Sequence, residues 1–161
     1  MSEKDYYEAV KKEFEDLFNT KGETYLEITA NKTFSNKLKK EIPDYRHIIF
    51  YFLKEVAPDI SGFIKRKYGT EFIVIEVKDE VLKLDHIYQS RKYAELFDAR
   101  FVFLVSTQEI PEEIKRLSRV VYSLLSLPAS RKLILVQFNA DANQFVEWFE
   151  ENPFEKEIHW K

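Results

Sequence analysis

Phe72-Ile73-Val74-Ile75 is an unbroken run of β-branched and aromatic residues, the pattern of a strand covered on both faces. The continuation, Glu76-Val77-Lys78, is the strongest constraint in the chain, because it places charge where such a strand should stay apolar. Asp59 to Ile64 is a second strand-like run. Between the two lies Lys65-Arg66-Lys67-Tyr68-Gly69-Thr70, polar, with a glycine able to take the left-handed backbone of a hairpin turn. A turn centred between Lys67 and Tyr68 sets Asp59 opposite Glu76. Side chains alternate along a strand, so Lys78 shares the face of Glu76. Spacing alone thus predicts two carboxylates and an ammonium at one end of an antiparallel pair.

Two carboxylates about 5 Å apart across a strand pair repel, and desolvation makes this worse. A hard divalent cation such as Mg²⁺, with Mn²⁺ as a substitute, resolves the conflict, since it favours carboxylate and carbonyl oxygens and keeps several waters. A nearby ammonium suits the orientation of one such water, and the set matches metal-assisted attack on a phosphodiester. The plain alternative is a salt bridge from Lys78 to Glu76 or Asp59 at a strand end.

Pro58-Asp59 followed by Glu76-Val77-Lys78 resembles the PD-(D/E)xK nuclease superfamily of restriction endonucleases, junction resolvases and RecB-type exonuclease domains. Gln89 and Tyr93 stand as Q-x-x-x-Y on the next predicted helix, similar to an added motif of the RecB-related branch. The predicted order of helix, strand, hairpin, helix and strand over residues 3–106 also resembles the superfamily core. The resemblance implies an α/β restriction-endonuclease-like fold and a Mg²⁺-dependent endo- or exonuclease acting on nucleic acid, DNA before RNA. It assigns Asp59, Glu76 and the Val77 carbonyl to the metal and Lys78 to the attacking water, with Gln89 and Tyr93 touching substrate or buttressing the site. It also implies a glutamate from the first helix. Glu3, Glu8, Glu13, Glu15 and Asp16 are the candidates; at 100° per residue Glu13 borders the apolar stripe, whereas Glu8 and Glu15 point away, so Glu13 is the choice, against a reading as a solvated border charge. A retained fold without catalysis, serving as a nucleic-acid-binding or assembly subunit, is the rival.

Composition sets the remaining bounds. A chain of 161 residues with 45% hydrophobic and 16% aromatic content is expected to form one domain spanning 1–161. Cysteine is absent, which excludes disulfides, thiolate metal sites and a cysteine nucleophile. Three glycines leave no phosphate-cradling loop. A net charge of −3 gives no global basic field, although Lys65, Arg66 and Lys67 at the hairpin tip are candidates for a phosphate backbone, or simply an ordinary exposed basic turn. No apolar stretch reads as a signal peptide or membrane span, so a cytoplasmic protein without a membrane partner is expected, with homodimerisation left open.

Along the chain, residues 3–19 read as an amphipathic helix with Tyr7, Val10, Phe14, Leu17 and Phe18 on one stripe. Tyr25–Ala30 alternates as a strand. Ser35 caps a short basic helix, and the segment from Pro43 through Val56 reads as a helix, with a strand over Ile48–Leu53 competing. A helix over 80–97, a strand at Phe101–Val105, a helix from Pro111 through Leu125 and a strand at Leu133–Phe138 follow. Asp141 is expected to cap a last helix through Phe149. Gly62, inside a strand, marks a bulge or close backbone approach, to a substrate or to a helix above. His86 reads as an ordinary helix residue rather than a ligand.

Overall fold

The computed structural model describes residues 2–161 and is organised around the predicted hairpin. Strand β2 (Ile60–Arg66) pairs antiparallel with β3 (Gly69–Lys78), in a register that sets Ile60 opposite Ile75 and Arg66 opposite Gly69. Gly69 takes φ +138°, open to a glycine at the tip. Strand β1 (Glu23–Ile28) flanks β2 antiparallel. On the other side β4 (Phe101–Ser106) runs parallel to β3, and β6 (Arg131–Asn139) parallel to β4. The short β5 (Ser126–Leu127) and β7 (Gln144–Trp148) both pair with β6, completing a seven-stranded mixed sheet among the described residues.

Alternation along β3 sends Ile73, Ile75 and Val77 to one face and Phe72 and Val74 to the other. Helix α1 (Tyr7–Asn19) covers the first face with Tyr7, Val10, Phe14 and Phe18. Helices α2 (Asn36–Lys39), α3 (Ile49–Phe52), α4 (Leu84–Phe97) and α5 (Glu112–Val120) supply the layer on the second. Both faces being covered explains the continuous apolar runs of β3 and β4. No helix among the described residues is long and apolar enough to cross a membrane.

Several boundaries differ from the sequence reading, each for a local reason. Helix α4 starts at Leu84 rather than residue 80, because Ser106 Oγ donates to the Glu80 carbonyl and Thr107 Oγ1 to Asp79, holding residues 79 and 80 against the end of β4. Helix α5 stops at Val120, short of Leu125, where Arg91 Nη1 donates to the carbonyls of Ser123, Leu124 and Ser126 and clamps a non-helical turn. The helix expected from Pro43 to Val56 breaks into a 3-10 turn at Asp44–Arg46 and the single turn of α3. His47, whose Nε2 lies 3.0 and 2.8 Å from the Lys39 and Ile42 carbonyls, pins the break.

The helix expected from Asp141 to Phe149 is instead strand β7. Asn139 Oδ1 accepts from the amides of Asp141 and Ala142, and Asn143 takes φ 51°, so the segment turns into a hairpin. The pairing of β6 with β7 is interrupted by a bulge. Gln137 opposes Glu147 and Phe138 opposes Phe145, leaving Val146 as an extra residue. The bulge turns Phe145 and Trp148 to the same side, where both rings meet Phe14. Gly62 does mark a close approach, but to the neighbouring strand: a Cβ there would stand 1.9 Å from the Tyr25 carbonyl oxygen.

Candidate active site

The β2–β3 register carries on one step past Ile60 and Ile75, and there side chains take over the pairing. The Asp59 amide donates to Glu76 Oε1 at 2.9 Å, and the Val77 amide donates to Asp59 Oδ2 at 2.7 Å. Each carboxylate thus captures an amide of the opposite strand. The Pro58-Asp59 backbone is fixed from its other side by Thr29, whose amide donates to the Asp59 carbonyl at 2.8 Å and whose hydroxyl donates to the Pro58 carbonyl at 2.6 Å. Ser61 Oγ completes this brace, 2.7 Å from Thr29 Oγ1.

The free oxygens of the two acids meet different groups. Tyr7 donates its hydroxyl to Asp59 Oδ1 at 2.9 Å from the start of α1. Lys78 Nζ lies 3.7 Å from Glu76 Oε2 and 4.0 Å from Glu3 Oε1. Asp59 is 7% exposed and Glu76 4%. Burial pushes the Glu76 carboxyl up to about 8, the Asp59 charge adds to this, and Lys78 and the Asp59 amide oppose it. Burial also raises Asp59, against the Val77 amide, the Tyr7 hydroxyl and Lys78. Two buried acids therefore face one ammonium, a deficit of positive charge.

Of the residues singled out from sequence, Asp59, Glu76, Val77 and Lys78 do come together. Tyr93 is buried on α4, and its hydroxyl is raised first by burial and then by the charges of Glu76 and Asp59, so it lies within electrostatic reach. Gln89 Nε2 donates to that hydroxyl at 3.3 Å, so Gln89 acts on the cluster through Tyr93. The first-helix acid that reaches the cluster is Glu3, not Glu13. Glu3 is among the charges felt by both Asp59 and Glu76, and it lies 4.0 Å from Lys78. Glu3–Tyr6 is a 3-10 turn, so counting 100° per residue misplaces Glu3 relative to the α-helical stripe that follows. Lys65, Arg66 and Lys67 lie at the opposite end of the hairpin, about 23 Å away at roughly 3.3 Å per residue from Asp59 to Arg66. His86 is occupied locally, accepting from the Lys83 amide at Nδ1 and lying 3.5 Å from Glu80 at Nε2. Tyr7 and Thr29 were not flagged by sequence. Tyr7 reads as one more member of the apolar stripe, and only its place at the start of that stripe hints that the hydroxyl reaches a sheet end.

Among the described residues, no group of three or more His, Cys, Asp or Glu side chains is disposed to hold a metal ion. Mg²⁺ needs fewer protein ligands than that, because one or two carboxylates with water and substrate oxygens complete its octahedron. The donor chemistry fits such an ion: two buried carboxylates, each with one oxygen not taken by a backbone amide and with less positive charge around them than two anions require. No family model, no curated protein and no solved structure matches the chain.

Proposed function

We propose that the protein is a Mg²⁺-dependent nuclease of the PD-(D/E)xK type, hydrolysing phosphodiester bonds of nucleic acid, with DNA before RNA by resemblance. The observation that carries the reading is the Asp59–Glu76 brace with Lys78 beside it. A chain that needed only to close a sheet end would do so with ordinary amide–carbonyl bonds, without burying two acids. The order α1, β1, α2, α3, β2, β3, α4, β4, with the β2–β3 hairpin antiparallel and β4 parallel to β3, also supports the resemblance.

Asp59 and Glu76, with the Val77 carbonyl, would hold the ion. A bound divalent cation supplies Lewis acidity toward a phosphoryl oxygen and lowers the pKa of its water. Lys78 supplies a compact ammonium on the same face, able to orient a water and to meet charge that grows on the phosphoryl oxygens. The Val77 amide holds the Asp59 carboxylate and Thr29 holds its backbone, so the first ligand is pre-positioned.

A second reading is favoured by one observation. All four carboxylate oxygens already have a protein partner, as a purely structural brace would require. On that reading the protein is a non-catalytic nucleic-acid-binding or assembly subunit. A panel of labelled DNA and RNA, single-stranded, duplex and branched, assayed with Mg²⁺ and Mn²⁺, separates the two. Cleavage that falls about 10²–10³-fold in Lys78→Ala, with substrate affinity nearly retained, supports the nuclease. Absence of cleavage of every substrate by wild type, with binding equal in Lys78→Ala, replaces it with the binding subunit.

A further inference from the structure

The far end of the hairpin carries a recess of about 650 Å³ between the β2–β3 turn and residues 158–161. Six cations line it, Lys21, Lys65, Arg66, Lys67, Arg100 and Lys161, against one carboxylate, Glu71. On a chain with net charge −3 this is a marked local reversal of sign.

The two arginines are fixed rather than loose. Both share Glu71, Arg66 Nη1 at 3.2 Å and Arg100 Nε at 3.5 Å. Arg66 Nη1 also donates to the His159 carbonyl at 2.6 Å, and Arg100 Nη2 lies 2.9 Å from His159 Nδ1. The Arg66 guanidinium lies 4.9 Å from the centre of the Trp160 ring, which is itself stacked on Phe101. One carboxylate divided between two guanidinium groups leaves both with donors to spare. Lys65 is paired with Glu41 at 3.0 Å, whereas Lys21 and Lys67 have no carboxylate within ion-pair distance among the described residues and lie over the rings of Trp160 and Tyr68. Tyr68 is 84% exposed at the tip. Glu155 and Glu157 line the neighbouring recess beyond Lys21 and Trp160, which confines the attraction to the hairpin side.

We infer that this groove binds a single strand of nucleic acid, with phosphates on the Lys/Arg set and a base stacked on Tyr68, at a site separate from the Asp59–Glu76 pair. Fixed cations beside an exposed aromatic ring form the stacking platform and electrostatic funnel of single-strand binders. No glycine-rich loop wraps the recess as a closed triphosphate site would require, since Gly69 is its one glycine. The nature of the ligand rests on the proposed nucleic-acid function, but the groove does not share a residue with the candidate active site.

The test is fluorescence anisotropy with a labelled single-stranded oligonucleotide of about 20 nucleotides, in chelator so that nothing is cut. Lys21→Glu/Lys67→Glu is expected to weaken binding at least tenfold and to flatten the slope of log K against log salt by about 1.4, or 0.7 per lost phosphate contact. Tyr68→Ala is expected to weaken binding about tenfold at unchanged salt slope, the signature of lost stacking. All three side chains are exposed, and a melting curve of each variant controls for folding. Wild-type affinity in both variants overturns the inference. So does stoichiometric displacement of the oligonucleotide by ADP or inorganic triphosphate, which would make the groove a free-nucleotide pocket. So does tighter binding of duplex with no effect of Tyr68→Ala. If nothing on the nuclease panel is cut but the variant pattern holds, the nuclease reading falls and the groove stands. If cleavage occurs while groove variants bind normally, the groove falls alone.

Discussion

Glu76 makes the metal-free protein sensitive to pH in a direction opposite to that of a typical carboxylate. Its folded value of about 8 lies above the ordinary 4.5, so between those limits the folded state holds a proton that the unfolded state has released. Stability from this group is complete below about pH 4.5 and is lost as pH rises through about 8. At about 1.4 kcal/mol per unit over this window, the loss is on the order of 3–5 kcal/mol. For a chain of 161 residues, roughly 2–4 °C of Tm accompanies each kcal/mol, so melting should fall by about 6–20 °C between pH 5 and pH 8.5 in chelator. Glu76→Gln keeps an oxygen for the Asp59 amide but carries no charge, and its melting curve should be flatter and higher than wild type at pH 8.5. The comparison must be the difference between the two proteins, because His86, lowered by burial, contributes stability in the opposite direction as pH rises. Millimolar Mn²⁺ or Mg²⁺ at pH 8.5 should return the lost stability to wild type and leave Glu76→Gln nearly unmoved, since a ligand bound only by the folded state stabilises it. Parallel pH curves for wild type and variant would refute the burial argument. Equal cation shifts in both would refute the metal site.

Tyr7→Phe removes the donor to Asp59 Oδ1, and should lower Tm in chelator by an amount corresponding to about 1–3 kcal/mol while enlarging the Mn²⁺-induced rise, because the hydroxyl and an ion compete for one oxygen; thermal melts with and without Mn²⁺ check both signs. Gly62→Ala should cost about 3 kcal/mol or more, seen by urea unfolding, since the new methyl meets the Tyr25 carbonyl oxygen and the Leu26 Cα, backbone atoms of a paired strand that cannot yield singly. An unchanged urea midpoint would mean that β1 is not held where the structure has it.

The hairpin was legible because a tight turn and a period of two fix register together, so counting from Lys67 and Tyr68 places every pair down to Asp59 and Glu76. The same logic failed at residues 144–148, where an inserted Val146 gives Phe145 and Trp148 the i, i+3 spacing of a helix face. Pattern cannot reveal a bulge that tertiary packing on Phe14 demands. Glu3 escaped for a related reason, since a 3-10 turn leading into α1 breaks the angular count. Tyr7 escaped because its ring belongs to the core and only its hydroxyl belongs to the site. Pairing and alternation were thus readable from the chain, whereas contacts made by the polar tip of an otherwise apolar residue were not.

The β2–β3 hairpin is one continuous element with opposite electrostatics at its ends, and that bears on how the proposed activity would be ordered. At about pH 8.5 and without a cation, Asp59, Glu76 and Glu3 face Lys78 at the acid end, so the local charge is negative and a polyanion is repelled from it. At the tip, about 23 Å away at roughly 3.3 Å per residue, Arg66, Arg100, Lys21 and Lys67 attract the same polyanion whether or not a cation is present. Binding at the tip should therefore tolerate chelator, and engagement of the acid end should require the divalent ion. Titration of a labelled oligonucleotide long enough to span both ends should show affinity that rises with Mg²⁺ in the wild type but not in Asp59→Asn/Glu76→Gln, where the repulsion is already gone. A Mg²⁺ dependence identical in the two proteins would mean that the ion acts on the nucleic acid alone and that the two ends of the hairpin do not act on one strand.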